Sequence, residues 1–286
     1  MNKKAIGVTS LLLIGVLFGL SGVIAKYLSL YLNPYQVVVL RYSVAFVIAI
    51  MLVGVKREPL KLRGVKKSTL FGFAITFPTS VIFFTLSIFN TTVSLAVFSF
   101  YIATLVSSFA VGKIYFNEAI TRNKQISLVF ILLAVLAFTN PFENFSIELG
   151  FIYGLISGGI QTIASSFQKI VSKRASRLGL LTFQTIAGSL LSGLILVSQN
   201  QPLFISLEPF PLVVGIVFGA IFLAISYLFL VGFSYINLNV GSILVSSELL
   251  FGPLFALVLL SEFPSSLEVV GGLFTVCAVV FANRDK

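Results

Sequence analysis

The chain has 286 residues, of which 58% are hydrophobic and 10% charged, with a mean hydropathy of +1.08. Soluble domains carry about 25% charged residues, and a chain this poor in them lacks the polar surface to live in water; it belongs in a bilayer. The lack of His excludes common zinc ligation and His-based acid–base catalysis, and a single cysteine, Cys277, excludes an intramolecular disulfide and a Cys–His nucleophile.

A hydrocarbon core of about 30 Å needs roughly 20 helical residues. By that ruler the chain reads as ten spans. The first, Ala5–Tyr31, opens after Lys3 and Lys4 as a secretory signal would. Its apolar run is too long for one and has no A-x-A-like cleavage site, so it is expected to remain as a helix. Pro34–Val55 follows the Asn33-Pro34 turn, and Thr69–Phe89 and Thr92–Gly112 meet at Asn90-Thr91. Asn123–Thr139 is the shortest and ends at Asn140-Pro141. Ile147–Val171, Leu178–Val197, Pro211–Tyr235, Leu238–Leu260 and Pro264–Ala282 complete the set.

Charge placement supports all ten. With an inside N-terminus, every Lys and Arg of the 19 except Lys26 and Arg41 falls in an inside segment, and none in an outside loop. Removing the fifth span would flip the later loops and weaken that bias to 11 against 6, so both termini are expected in the cytoplasm. The net charge of +10 is thus topology rather than a nucleic-acid footprint. The basic loop from Lys56 to Lys67 also suits anionic lipid headgroups. Tyr27, Tyr31 and Tyr35 fall at the outer boundary of the first two spans, where amphipathic rings anchor.

Ten spans divide into five and five, and an odd number per half inverts the second half. Shifting the chain by 144 residues lays Glu118 on Glu262, Leu105 on Leu249, Phe130 on Phe274, Ala134 on Ala278 and Val135 on Val279. The expected halves are residues 1–140 and 147–283. Inverted repeats recur in secondary transporters, with the substrate near the midplane between them.

At Phe18-Gly19, Lys26, Leu40-Arg41-Tyr42, Gly252-Pro253, Ser261-Glu262 and Gly271-Gly272 the chain resembles the drug/metabolite transporter superfamily, in its ten-helix EamA-like branch. It departs from that pattern at Phe18, where Trp is usual, and at Phe109, which answers to Pro253. The resemblance implies efflux or exchange of a small metabolite, amino acid or drug.

Among candidate site residues Glu248 stands first. It lies about ten residues from either end of the ninth expected span, which at about 1.5 Å per residue puts it near the bilayer centre. A charge there must face a cavity or a partner. Burial favours the neutral acid and a nearby cation the carboxylate, so Glu248 can exchange a proton during a cycle. Gly241, Val245, Glu248 and Gly252 share a helix face. The repeat shift maps them onto Val97, Tyr101, Thr104 and Ser108, so Thr104 is expected opposite Glu248 with Tyr101 beside it. Gly15, Gly19, Gly22 and Lys26 form a similar stripe, on which the glycines permit close helix approach. Lys26 and Arg41 lie at similar depth on the first two spans. Each is open to two readings, a substrate contact or an interfacial anchor; as contacts, they would make the outer cavity positive and suit a carboxylate.

Gln161, Thr162, Ser165, Ser166 and Gln168 on the sixth span, and Gln184 and Thr185 on the seventh, suit either a solute pathway or an interhelical network. Pro78 and Pro253 are candidate helix breaks. Glu118 and Glu262 fall at helix ends and read as caps.

The composite expectation is an all-α polytopic membrane protein with ten transmembrane helices, a permease of the cytoplasmic membrane working by alternating access on a small polar metabolite such as an amino acid, or a drug. Its site would comprise Glu248, Lys26, Arg41, Thr104, Tyr101 and Gln161, with no cofactor, no metal and no nucleic-acid partner, and with proton coupling open to it. No G-x-x-x-x-G-K-[ST] sequence is present to support direct ATP drive. The alternatives are a non-transporting scaffold or receptor and an intramembrane lipid-modifying enzyme. For the enzyme, a single Asp, Asp285, rules out an aspartyl dyad within one chain.

Overall fold

Turn residues in the sequence become helix caps. Asn33 and Gln36 bond reciprocally, each side-chain oxygen accepting the other's backbone N–H at 2.9 Å, with Pro34 at the first helical position. Ser265 and Glu268 do the same: the Glu268 carboxylate accepts the Ser265 N–H at 2.7 Å and Ser265 Oγ accepts the Glu268 N–H at 3.2 Å. Ser176 Oγ accepts the Gly179 N–H at 3.1 Å. Ser265→Ala is expected to destabilise the protein by about 1 kcal/mol, the usual effect of losing an N-cap. Thermal unfolding in detergent, followed with a thiol-reactive dye at Cys277, measures it.

The computed structural model describes residues 3–56, 62, 64–116, 121–139, 148–171, 175–202, 208–236, 244–282 and 284. Among the described residues there are ten α-helices: α1 Lys3–Leu28, α2 Pro34–Lys56, α3 Lys67–Asn90, α4 Val93–Phe116, α5 Arg122–Thr139, α6 Leu149–Val171, α7 Arg177–Ser198, α8 Pro209–Tyr235, α9 Glu248–Leu260 and α10 Ser266–Ala282. No strand occurs among the described residues. Glu118, Gly241, the Asn140-Pro141 turn, the beginnings of the sixth and ninth expected spans and much of the Lys56–Lys67 loop lie outside them.

Six helices, namely α1, α2, α3, α4, α7 and α8, are long and apolar enough to cross a membrane, while α9 and α10 are shorter apolar helices. Their outward faces need lipid rather than water: Leu190 and Leu194 on α7 are 62% and 69% exposed, and Leu250 and Val258 on α9 are 63% and 67%. The chain is an all-helical, multi-pass membrane protein.

Packing is dense between helices far apart in sequence. α3 lies along α6, α4 along α6, α1 along α8 and α9, α2 along α7 and α8, and α5 along α10. Small residues make the closest approaches. A Cβ on Gly158 of α6 would come within 2.0 Å of the Phe100 carbonyl oxygen on α4, and one on Gly19 of α1 within 2.8 Å of the Gly252 nitrogen on α9. In lipid, where burying apolar surface adds little, such contacts are what holds helices together. Both interior prolines lie within helices that continue through them, α3 through Pro78 and α9 through Pro253. Neither is the break expected of it.

Candidate functional site

The helix break falls elsewhere, just before Glu248. Leu244 and Val245 are helical, Ser246 and Ser247 form a turn, and α9 begins at Glu248. The Ser247 N–H donates to the Leu244 carbonyl at 3.3 Å and the Leu249 N–H to Ser246 at 3.0 Å, both the tighter three-residue spacing. Ser247 Oγ also donates to the Leu244 carbonyl at 2.8 Å. Adjacent serines offer the backbone this alternative to regular helix bonds. Gly15 on α1 lets the break nestle against its backbone, since a Cβ there would meet Ser247 Oγ at 2.0 Å. The break within the ninth expected span therefore falls at Glu248 rather than at Pro253. Glu248 opens a helix, where the positive end of the macrodipole favours a carboxylate.

Glu248 is only 2% exposed and faces a cavity inside the bundle. Phe18 enters the lining from α1, and Phe77, Ser80, Val81 and Phe84 from α3. Phe100, Tyr101 and Thr104 come from α4, Gln161 and Ser165 from α6, and Phe229 and Phe233 from α8; Val245 and Glu248 close it. The Tyr101 hydroxyl lies 3.0 Å from Glu248 Oε2 and 3.1 Å from the Val245 carbonyl oxygen. One hydroxyl hydrogen serves two acceptors. When Glu248 is ionised Tyr101 donates to it. When Glu248 is protonated the acid can donate to Tyr101, freeing the tyrosine proton for Val245. The protonation state of the carboxyl is thereby tied to the last carbonyl before the helix break.

Of the expected site residues, Glu248, Tyr101, Thr104 and Gln161 line this one cavity. Thr104 does not pair with Glu248: its hydroxyl bonds back to the Phe100 carbonyl at 2.8 Å and lies 3.3 Å from Gly158 O. Gln161 Nε2 lies 3.5 Å from Ser165 Oγ. Gln184 and Thr185 are buried but away from the lining.

Lys26 and Arg41 are not in the described lining of this cavity, so the structure does not bring them together with Glu248. Arg41 is buried at 5% exposure, donates to Thr85 Oγ1 at 3.0 Å, and stacks 4.8 Å from the Phe218 ring centroid and 5.1 Å from that of Phe222. Its guanidinium is held by ring faces and one hydroxyl. Lys26 Nζ donates to the carbonyls of Ile88 and Thr91, at 3.0 and 2.7 Å, at the C-terminal end of α3. A cation is favoured there by the helix dipole, which a sequence-based depth estimate does not reveal.

Lys26 belongs to a clasp around the α3–α4 junction. The Thr91 hydroxyl donates to Glu148, the Thr92 hydroxyl to Glu268 at 2.6 Å, and the Val93 N–H to Glu262 at 3.2 and 3.3 Å. Glu262 is thus a cap, as its position at a helix end suggests. Burial pushes its carboxyl above the usual range, against the opposing pull of the Val93 N–H and the Lys26 charge. Lys26→Met is expected to destabilise the protein by about 1–2 kcal/mol by removing two bonds from charged nitrogen to the carbonyls of the junction. The same thermal measurement checks it, with a change below about 0.3 kcal/mol counting against the clasp.

The ring of phenylalanines escaped the sequence reading. Phe229 and Phe233 are four residues apart and Phe77 and Phe84 seven apart, so each pair shares a helix face. In a chain with 30 Phe, however, such spacing is common. Among the described residues no group of three or more His, Cys, Asp or Glu is arranged to hold a metal.

The described residues form an all-helical membrane bundle with a buried carboxyl facing an internal cavity. The sequence model of the EamA-like transporter family matches residues 148–284, so the resemblance to that family within the drug/metabolite transporter superfamily holds. No curated protein matches the chain. A solved crystal structure of a protein is similar over 99% of this chain and 97% of that one, with a TM-score of 0.68 and 13% identity, which establishes the shared fold.

Proposed function

We propose that the chain is a secondary transporter, an exporter or exchanger of a small metabolite or drug in the cytoplasmic membrane. It works by alternating access between inverted five-helix halves, residues 1–140 and 147–283, with both termini in the cytoplasm. The observation that carries this reading is Glu248: an ionisable group at 2% exposure, at a helix break, beside a cavity. A buried carboxyl in a membrane bundle costs stability and is retained where it handles a solute or proton.

Symmetry of packing supports the two halves. Exchanging them turns the α3–α6 contact into α8–α1 and α4–α6 into α9–α1, while α2–α7 and α5–α10 map onto themselves. The close glycine contacts follow suit. Gly150 closes on Thr91 and Gly7 on Tyr235 and Ile236; Gly158 closes on the Phe100 carbonyl and Gly15 on Val245 and Ser247. In α1 and α6 the correspondence runs one residue off the register of the other helices.

Mechanistically, movement of one half against the other would expose the cavity first to one side and then to the other. Tyr101 and the Ser246–Ser247 turn would couple the occupancy of Glu248 to the position of α9. The test is the extracellular metabolite profile of cells producing the wild type, compared with cells producing Glu248→Gln at matched membrane abundance, followed by flux of the released solute in proteoliposomes. Release confined to the wild type supports transport. Absence of flux for every solute tried in liposomes, with the protein folded and inserted, removes it.

A further inference from the structure

We propose that the cavity is built for an organic cation, an amine or alkylated ammonium group carried on an apolar body; this rests on the transport reading above and names its substrate class. Six phenylalanine rings line the space, Phe18, Phe77, Phe84, Phe100, Phe229 and Phe233, and Tyr101 adds a seventh ring. Aromatic faces are negative, so a ring-lined cavity attracts a cation and accepts an apolar body. Among the described residues Glu248 is the single acidic member of the lining, and no Lys or Arg accompanies it. Only one of its oxygens, Oε2, bonds a described side chain, the Tyr101 hydroxyl.

An anion or zwitterion fits poorly. A carboxylate would need a cation or several free donors, and Arg41 and Lys26 are engaged elsewhere. Arg41 is held by Thr85, Phe218 and Phe222, none of which lines the cavity, and Lys26 by the carbonyls of Ile88 and Thr91. The hydroxyls of the lining are largely committed too. Thr104 bonds back to Phe100, and Ser80 lies 3.1 Å from both the carbonyl and hydroxyl oxygens of Ser157. That leaves the Gln161 amide and Ser165, which can hydrogen-bond a neutral polar group but cannot balance a negative charge. The amino acid suggested by the sequence is therefore the less suitable cargo, because its carboxylate would enter a space with no counter-charge among the described residues.

The test is binding of four near-isosteric probes to the full chain in detergent: phenethylamine, phenethyl alcohol, 3-phenylpropionate and phenylalanine. The amine is expected to bind at least about tenfold more tightly than each of the others. Glu248→Gln should bring amine and alcohol to within about threefold of each other while the thermal midpoint holds. Phe229→Leu, which leaves the carboxylate in place, should weaken trimethyl(phenethyl)ammonium about threefold or more relative to the alcohol. Three results each overturn the proposal: phenylalanine or 3-phenylpropionate binding as tightly as the amine, an amine preference that survives Glu248→Gln, or no amine binding up to about 10 mM. Flux separates this inference from the one beneath it. Glu248-dependent amine binding without flux in proteoliposomes removes transport and leaves the ligand class; flux of a zwitterion but not of the amine does the reverse.

Discussion

Glu248→Gln is expected to lower solute flux at least about tenfold while leaving membrane insertion and thermal midpoint unchanged or slightly raised. Gln has nearly the volume of Glu and its amide oxygen can still accept the Tyr101 hydroxyl, which lies 3.0 Å from Glu248 Oε2. What disappears is the ability to carry a charge and exchange it. Because the wild-type group is 2% exposed, removing its charge relieves a desolvation cost, and the fold should not suffer. Tyr101→Phe should have a smaller effect of the same sign, since it leaves the carboxyl but strips its hydrogen-bond partner and that of the Val245 carbonyl. The double variant should resemble Glu248→Gln alone, because the two groups are joined by one hydrogen bond and act as a unit. Additive losses would mean that Tyr101 acts independently of Glu248. Full flux in Glu248→Gln would remove the carboxyl from the mechanism.

Gly158→Ala is expected to destabilise the protein by about 1–3 kcal/mol, and Gly159→Ala to leave it unchanged or stabilise it by up to about 1 kcal/mol. The two glycines are neighbours on α6 with opposite surroundings. A Cβ at Gly158 would come within 2.0 Å of the Phe100 carbonyl oxygen, which is backbone and has no rotamer to escape into, whereas a Cβ at Gly159 meets nothing within 4 Å. The helices must separate to admit the first methyl, while the second only improves helix propensity. Cys277, the one cysteine of the chain, reports both by thiol reactivity on heating. Equal effects from the two changes would mean that α4 and α6 do not pack as closely as the geometry has them.

The residues legible in advance were those whose signal is local. Asn33-Pro34 marked the start of α2, and the side chain of Gln36 three residues on completes its cap. Glu248 stood out because a carboxyl between long apolar runs is costly wherever the helices pack. The repeat shift brought Tyr101 to notice as a neighbour of that carboxyl through Val245, and the two carbonyl and carboxyl bonds of its hydroxyl lie there. Thr104, put forward by the same shift, shares the cavity but spends its hydroxyl on its own helix.

Lys26, Arg41 and the phenylalanine lining mark where such reasoning stops. Depth along a helix left both cations open to a solute contact or an interfacial anchor, and in the structure Lys26 turns to the end of α3 and Arg41 to Thr85 and two rings of α8. Hydropathy, charge and helix-start chemistry are properties of neighbours in sequence, so the amino-acid sequence by itself determined that the chain is helical, membrane-embedded and polar only at a few interior points. Which partner each polar group takes, where the ninth span breaks and which of the 30 phenylalanines enclose a cavity depend on residues far apart in the chain coming within a few ångströms. Only the tertiary structure decided them, because in lipid a buried charge binds whichever dipole or ring the packing of distant helices brings within reach.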